Sequence, residues 1–294
     1  MKAAKTVITL SILTAVLTLV RCVAGLFGQG GGSPFPFTTL HGQTIQMFGQ
    51  GLYRYDPYFN GPILQGTDAV TLFVGVPLLL IGILLYRNGS LRGKIFLTSL
   101  LAYFLYNSAS FAFGVAYNNL FLVYLASFSV SLFAFILAFQ SINLHELASR
   151  ISSGLPHRGI AVLLFLSALG LLFAWLPDIV SGLVHGKVPA IASYTTEVTY
   201  VLDLGIIVPV LILSGLLILR RAPFGYLAAP ILLIVLAIMG LVITAQSVAQ
   251  SLAGISLSPG EFIGKAGSFM LLALIAIGLI VRFFRAISET AVSN

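Results

Sequence analysis

Charge is what this sequence has least of. Only 8% of its 294 residues are Asp, Glu, Lys or Arg, where a soluble domain carries about a quarter. An ordinary water-soluble fold is excluded, because apolar surface must dominate. Cysteine is nearly missing too. Cys22 stands alone, so neither an internal disulfide nor a thiolate metal cluster can form. Walker, HExxH, GxSxG and EF-hand patterns are all absent. The four histidines, His41, His145, His157 and His185, include no i, i+4 pair. We therefore expect no metal and no cofactor. The glycine-rich "GQGGGSPFPF" lacks a strand before it and a helix after it, so it is not a phosphate cradle.

Hydrophobic residues make up 59% of the chain. A membrane span needs roughly 20 of them in a row. Eight such stretches can be placed, at about 6–27, 67–86, 95–115, 119–140, 159–180, 199–219, 226–249 and 263–284. The expected fold is all-α: a polytopic integral membrane bundle of about eight transmembrane helices, forming one domain. The N-terminus carries two lysines and an apolar run, as a signal peptide does. Arg21 and Cys22 occupy the place of a small-residue cleavage site, so an uncleaved first span is expected.

Charge distribution orients the bundle. Lys2, Lys5, Arg87, Arg92, Lys94, Arg150, Arg158, Arg220, Arg221, Arg282 and Arg285 fall on one side, with only Glu146 and Glu289 among the acids. Basic short turns stay cytoplasmic, which places both termini in the cytoplasm. The sequon at Asn88 then faces the cytoplasm as well. Topology accounts for the basic pI of about 9.7, so nucleic acid is not an expected partner. Membrane lipids are, and a cell membrane, prokaryotic for preference, is the expected location.

The other side collects Arg21, Arg54, Lys187 and Lys265 with Asp56, Asp68, Asp178, Glu197, Asp203 and Glu261. Several lie at one depth. Counted from the nearest cytoplasmic base at 1.5 Å per residue, Asp203 and Lys265 stand at roughly 26 Å, Asp68 at roughly 28 Å, Asp178 at roughly 30 Å and Arg21 at roughly 24 Å. Hydrocarbon is about 30 Å thick. Asp203 thus sits just inside the outer boundary. Thr196, Thr199, Tyr200 and Asp203 are spaced i, i+3, i+4, i+7, which is one helix face, and Thr199 and Tyr200 are placed to hydrogen-bond Asp203. Glu197 points about 120° away. Arg21 and Lys265 are the candidate partners for the acids, since opposite charge lowers the cost of burial. A shared outward-facing cavity is the expectation.

Residues 28–66 form the one long loop, expected as a cap over that cavity. Within it, Leu40, Ile45, Met47 and Phe48 suit a short interfacial helix. Tyr53, Tyr55, Tyr58 and Phe59 resemble an aromatic belt. Arg54 and Asp56 are placed to enter the site from above. In the third span, Tyr103, Asn107, Ser110, Gly114 and Tyr117 make a polar stripe, with Asn107 roughly 20 Å from Lys94. Ser127 and Ser131 suit helix packing, and Gln246 and Gln250 suit the vestibule. "VPLLLIGILLYR" from Val76 resembles "VPVLILSGLLILR" from Val208. Each follows an acid and carries a kinking proline, Pro77 or Pro209, as two parallel halves would.

Three functions fit. The first is binding or transport of a small solute, ion or lipid at the outer cavity. The second is an enzyme acting on a lipid-linked substrate at the outer leaflet, with Asp56, Asp68 or Asp203 as acid, base or metal ligand. The long first loop with Arg54 and Asp56 resembles, in general layout, multi-pass glycosyltransferases that use lipid-linked donors. Eight spans is short for that class, and no DxD pair is present. The third is a non-catalytic assembly subunit.

Overall fold

The structure, a computed structural model, describes residues 2–256 and 258–288, without the side chains of Lys2, Ala3, Glu261 and Lys265. Eight of its helices are long and apolar enough to cross a membrane. Helix α1 is Lys2–Phe27. Helix α2 (Asn60–Val70) runs through a π-helical turn, Thr71–Gly75, into α3 (Val76–Arg87). Helices α4 (Leu91–Gly114) and α5 (Phe121–Gln140) follow, then a short α6 (Leu144–Ser149). Helix α7 (His157–His185) precedes a second π turn, Tyr200–Ile207, which leads into α8 (Val208–Leu219). Helix α9 is Pro223–Leu252. A single turn, α10 (Pro259–Phe262), and a third π turn, Ile263–Gly267, lead into α11 (Ser268–Ala286). In hydrocarbon every backbone group must be bonded, and a helix meets that need within its own segment.

Local chemistry sets the ends. Ser90 accepts a bond from Gly93 N at 3.0 Å and starts α4. Asn143 caps α6 in the same way. Proline opens α9, where its missing N–H costs nothing. Gly186, at φ +61°, ends α7 in the left-handed conformation that glycine adopts without strain. Helix α2 begins seven residues before the expected start at 67. Its extra turns carry Gly61, on which Phe48 of the outer loop packs.

Helix α9 is the hub, packed against α11, α2, α4 and α8. At Gly240 the helix comes close to α11, since a Cβ there would strike Ala273. Around the periphery Ile12, Leu80, Phe133, Phe173, Leu213 and Leu274 stay exposed. That is how a bundle faces lipid.

The outer loop departs from expectation. In place of an interfacial helix it forms a β-hairpin, β1 (Phe35–Thr38) against β2 (Thr44–Met47), pairing Phe35 with Met47 and Thr38 with Thr44. The sequence of β2 alternates polar and apolar, with period two rather than 3.6. Gly42, at φ +77°, makes the turn. The aromatic belt is also corrected. Tyr53 is fully buried, and Tyr58 reaches across to donate to the Ala253 carbonyl at 2.6 Å. Tyr55 and Phe59 do stay exposed.

Pro77 and Pro209 each follow a π turn and lie in the first turn of a continuing helix. The Val76 amide bonds the Thr71 carbonyl, and the Val208 amide the Asp203 carbonyl, both five residues back. The two similar segments thus share a wide turn ahead of proline. Ile263–Gly267 has such a turn without proline, so the feature is not confined to that pair.

Candidate functional site

The outer charged residues assemble into three groups rather than one. The first is built on α1 and α2. Arg21 is 2% exposed and Asp68 is 0% exposed, and Arg21 Nη2 lies 3.2 Å from Asp68 Oδ1. Burial of either ion alone costs several kcal/mol, so the pair exists because each neutralises the other. Arg21 Nη1 donates to Asn107 Oδ1 of α4 at 2.6 Å, and the guanidinium stacks 3.7 Å over Phe111. Nη2 also contacts Cys22 Sγ at 3.4 Å. Tyr53, descending from the outer loop, donates to Asp68 Oδ2. Beside it Tyr103 bonds Thr71 in the first π turn at 2.7 Å. Gly25 makes this fit possible, because a Cβ there would meet Asp68 and Tyr53.

The second group spans α4, α7 and the second π turn. Asp203 is 6% exposed. Tyr106 donates to its Oδ1 at 2.7 Å and Trp175 to its Oδ2 at 2.8 Å. Tyr200 donates to Asp178, which also accepts from Ala190 N at 2.9 Å. The Trp175 and Tyr200 rings are 5.5 Å apart. Glu197 accepts from Thr199 at 3.0 Å, and burial pushes its carboxyl above the usual range. Among the described residues no lysine or arginine lies within salt-bridge reach of Asp178, Glu197 or Asp203.

This corrects the expected stripe. Thr199 and Tyr200 do not hold Asp203; they serve Glu197 and Asp178. Helix begins only after Glu197, so Thr196 precedes it. From Tyr200 onward the wider π turn rotates each residue away from its α-helical position. Among the described residues Arg21 pairs with no acid but Asp68, and the Lys265 side chain lies outside the described residues.

The third group is Asp56, buried at 0% exposure. Its Oδ1 accepts from Ala116 N at 2.9 Å and from Tyr194 Oη at 2.7 Å. One carboxylate thus ties together the loop before α2, the link after α4 and the loop before α8. Burial pushes its pKa up to about 6, against the opposing bonds from Ala116 and Tyr194. Burial also raises the Tyr194 hydroxyl, with Asp56 adding to the shift. Arg54 joins none of these groups. Half-buried, its guanidinium lies 4.7 Å over the Tyr55 ring.

Other polar residues fall into place as packing. Ser108 and Ser131 bond each other at 2.7 Å across α4 and α5. Ser110 bonds its own helix at Tyr106 O, and Gly114 packs against Val198. Tyr117 lies beyond the end of α4 and is exposed. Gln246 donates to Thr67 at 2.9 Å, and Gln250 to the Phe59 carbonyl at 3.1 Å. An apolar groove of about 390 Å³ beside the hairpin is lined by Ile45, Tyr58, Phe59 and Ile255 among others; no expected ligand residue is among the described residues that line it. Among the described residues no cluster of His, Cys, Asp and Glu is arranged to hold a metal ion.

Tyr106 and Trp175 were not among the expected site residues. Their only signal was position. Tyr106 neighbours Asn107, and Trp175 lies three residues before Asp178, one helical turn away.

The fold defines a multi-pass, all-α membrane protein. Comparison with protein-family models, with curated proteins and with solved structures gave no match.

Proposed function

We propose that the protein binds a small organic cation of the ammonium type at its outer boundary, in the group built on Asp203. The observation that carries this is three neighbouring carboxylates, one of them buried, with aromatic rings among them and no described base in reach. Carboxylates without counter-charge favour a cation, and Trp and Tyr faces add cation–π attraction of about 0.5–2 kcal/mol each. Arg21 and Asp68 play a different part. They are already neutral as a pair and hold the capping loop through Tyr53. Asp56 ties that loop to the segment before α8, which carries Glu197. The loop before α2 is thus linked to the segment that carries Glu197.

Trp175 is the chain's single tryptophan, so its fluorescence reports on this group alone. Titration of purified protein with tetramethylammonium chloride, against sodium chloride at equal ionic strength, should give a saturable change in Trp175 emission. Asp203→Asn keeps an acceptor for one donor and removes the charge, and it should abolish saturation. Identical responses to both salts in the wild-type protein would overturn the proposal.

A further inference from the structure

We infer that a groove on the lipid-facing surface, between α5, α8 and α9, holds one acyl chain of an anionic phospholipid of the cytoplasmic leaflet, whose headgroup meets the Arg220–Arg221 turn. The groove has a volume of about 340 Å³, and its lining includes Phe135, Phe139, Val210, Phe224, Ala228 and Ile231. Phe135, Phe139 and Phe224 form a run of rings spaced 5.7 and 5.9 Å apart. Ala228, buried at 5% exposure, is a small residue among large ones.

Depth argues for the occupant. The groove follows α9 from Phe224 to Leu232 and α8 back to Val210, roughly 12–14 Å along each axis from the α8–α9 turn. One leaflet of hydrocarbon is about 15 Å deep. The groove thus opens at the cytoplasmic surface and ends near the bilayer midplane, the length of one chain of one leaflet. A transmembrane helix of a partner would continue past the midplane.

Charge argues for the headgroup. The turn that joins α8 to α9, two of the groove's walls, carries Arg220 and Arg221, both exposed. Neither is in a described salt bridge. Arg221 stands at φ +55°, a conformation that costs a non-glycine residue energy. A Lys or Arg near an anionic surface gains about 1 kcal/mol there. Gln140 at the end of α5 adds a polar group at the same mouth.

The test is native mass spectrometry of protein released from nanodiscs of equimolar phosphatidylglycerol and phosphatidylcholine. The wild type should retain one phosphatidylglycerol at least several-fold over phosphatidylcholine. Arg220→Gln/Arg221→Gln should lose that preference yet still retain lipid. Ala228→Phe fills the groove and should retain several-fold less of either lipid. If Ala228→Phe fails to fold, the arginine variant decides alone. Equal retention of both lipids by the wild type, or an unchanged preference in the arginine variant, overturns the inference.

Discussion

Tyr106 and Asn107 are neighbours on α4 and serve different groups: Tyr106 donates to Asp203, while Asn107 accepts from Arg21. Successive helical residues point about 100° apart. Helix α4 is therefore a wall, with the Arg21–Asp68 pair on one flank and the proposed cation group on the other. Tyr106→Phe should weaken tetramethylammonium binding, read by Trp175 emission, and change the melting temperature little. Asn107→Ala should do the opposite. If both variants alter both readouts equally, the two flanks act as one unit.

The Arg21–Asp68 pair should show the asymmetry of a buried ion pair. Asp68→Asn strands the guanidinium and should cost about 3–5 kcal/mol. Arg21→Met with Asp68→Leu removes both charges and should recover most of that loss. Thermal unfolding in detergent measures both. A double variant no better than the single one would mean that the bonds to Tyr53 and Asn107, not charge balance, dominate.

Gly25 should tolerate no side chain. Gly25→Ala pushes a methyl against Asp68 and Tyr53, and overpacking costs typically about 1–3 kcal/mol. Protease susceptibility of the loop before α2 should rise with it, because Tyr53 anchors that loop. Unchanged melting and proteolysis would show that α1 shifts freely.

Acid should tighten the cap. The folded-state pKa of Asp56, about 6, lies above its unfolded value, so the folded state holds the proton more tightly. The contribution is fully present below about pH 4 and is lost as pH rises through 6. Two units correspond to about 3 kcal/mol at 1.36 kcal/mol each. Asp56→Asn stays neutral and keeps an oxygen for Ala116 N and Tyr194. The stability difference between wild type and variant should therefore grow, in the variant's favour, between pH 4 and 6.5. A difference constant with pH would exclude Asp56 as the titrating group.

Orientation can be read with cysteines placed in a Cys22→Ser background. An impermeant maleimide added outside should label Lys187→Cys and spare Arg220→Cys. The reverse pattern would invert the bundle.

Spans were legible because hydrocarbon thickness and helical rise leave little freedom. A count from Arg220 places Asp203 near the boundary before any fold is known. Partners were harder, because depth along a helix says nothing about direction around it. Arg21 was a candidate for several acids at its level, and only packing of α1 on α2 selects Asp68. The Thr199–Tyr200–Asp203 face failed for a narrower reason: a π turn obeys no α-helical spacing. Tyr53 looked like a belt residue because sequence cannot tell a tyrosine at a headgroup from one that follows its loop inward. The hairpin was written in Thr44–Met47, where period two outweighs apolar content.

The Arg21–Asp68 pair also imposes an order on biogenesis. Arg21 leaves the ribosome well before Asp68, and in the orientation that the charge bias implies the intervening loop, which supplies Tyr53, crosses the membrane first. About 47 residues separate the two charges, several seconds of synthesis at about 5–20 residues per second. Throughout that interval the first span carries an uncompensated guanidinium close to hydrocarbon. Helices α1 and α2 should therefore leave the insertion machinery together, as a pair already joined through its translocated loop.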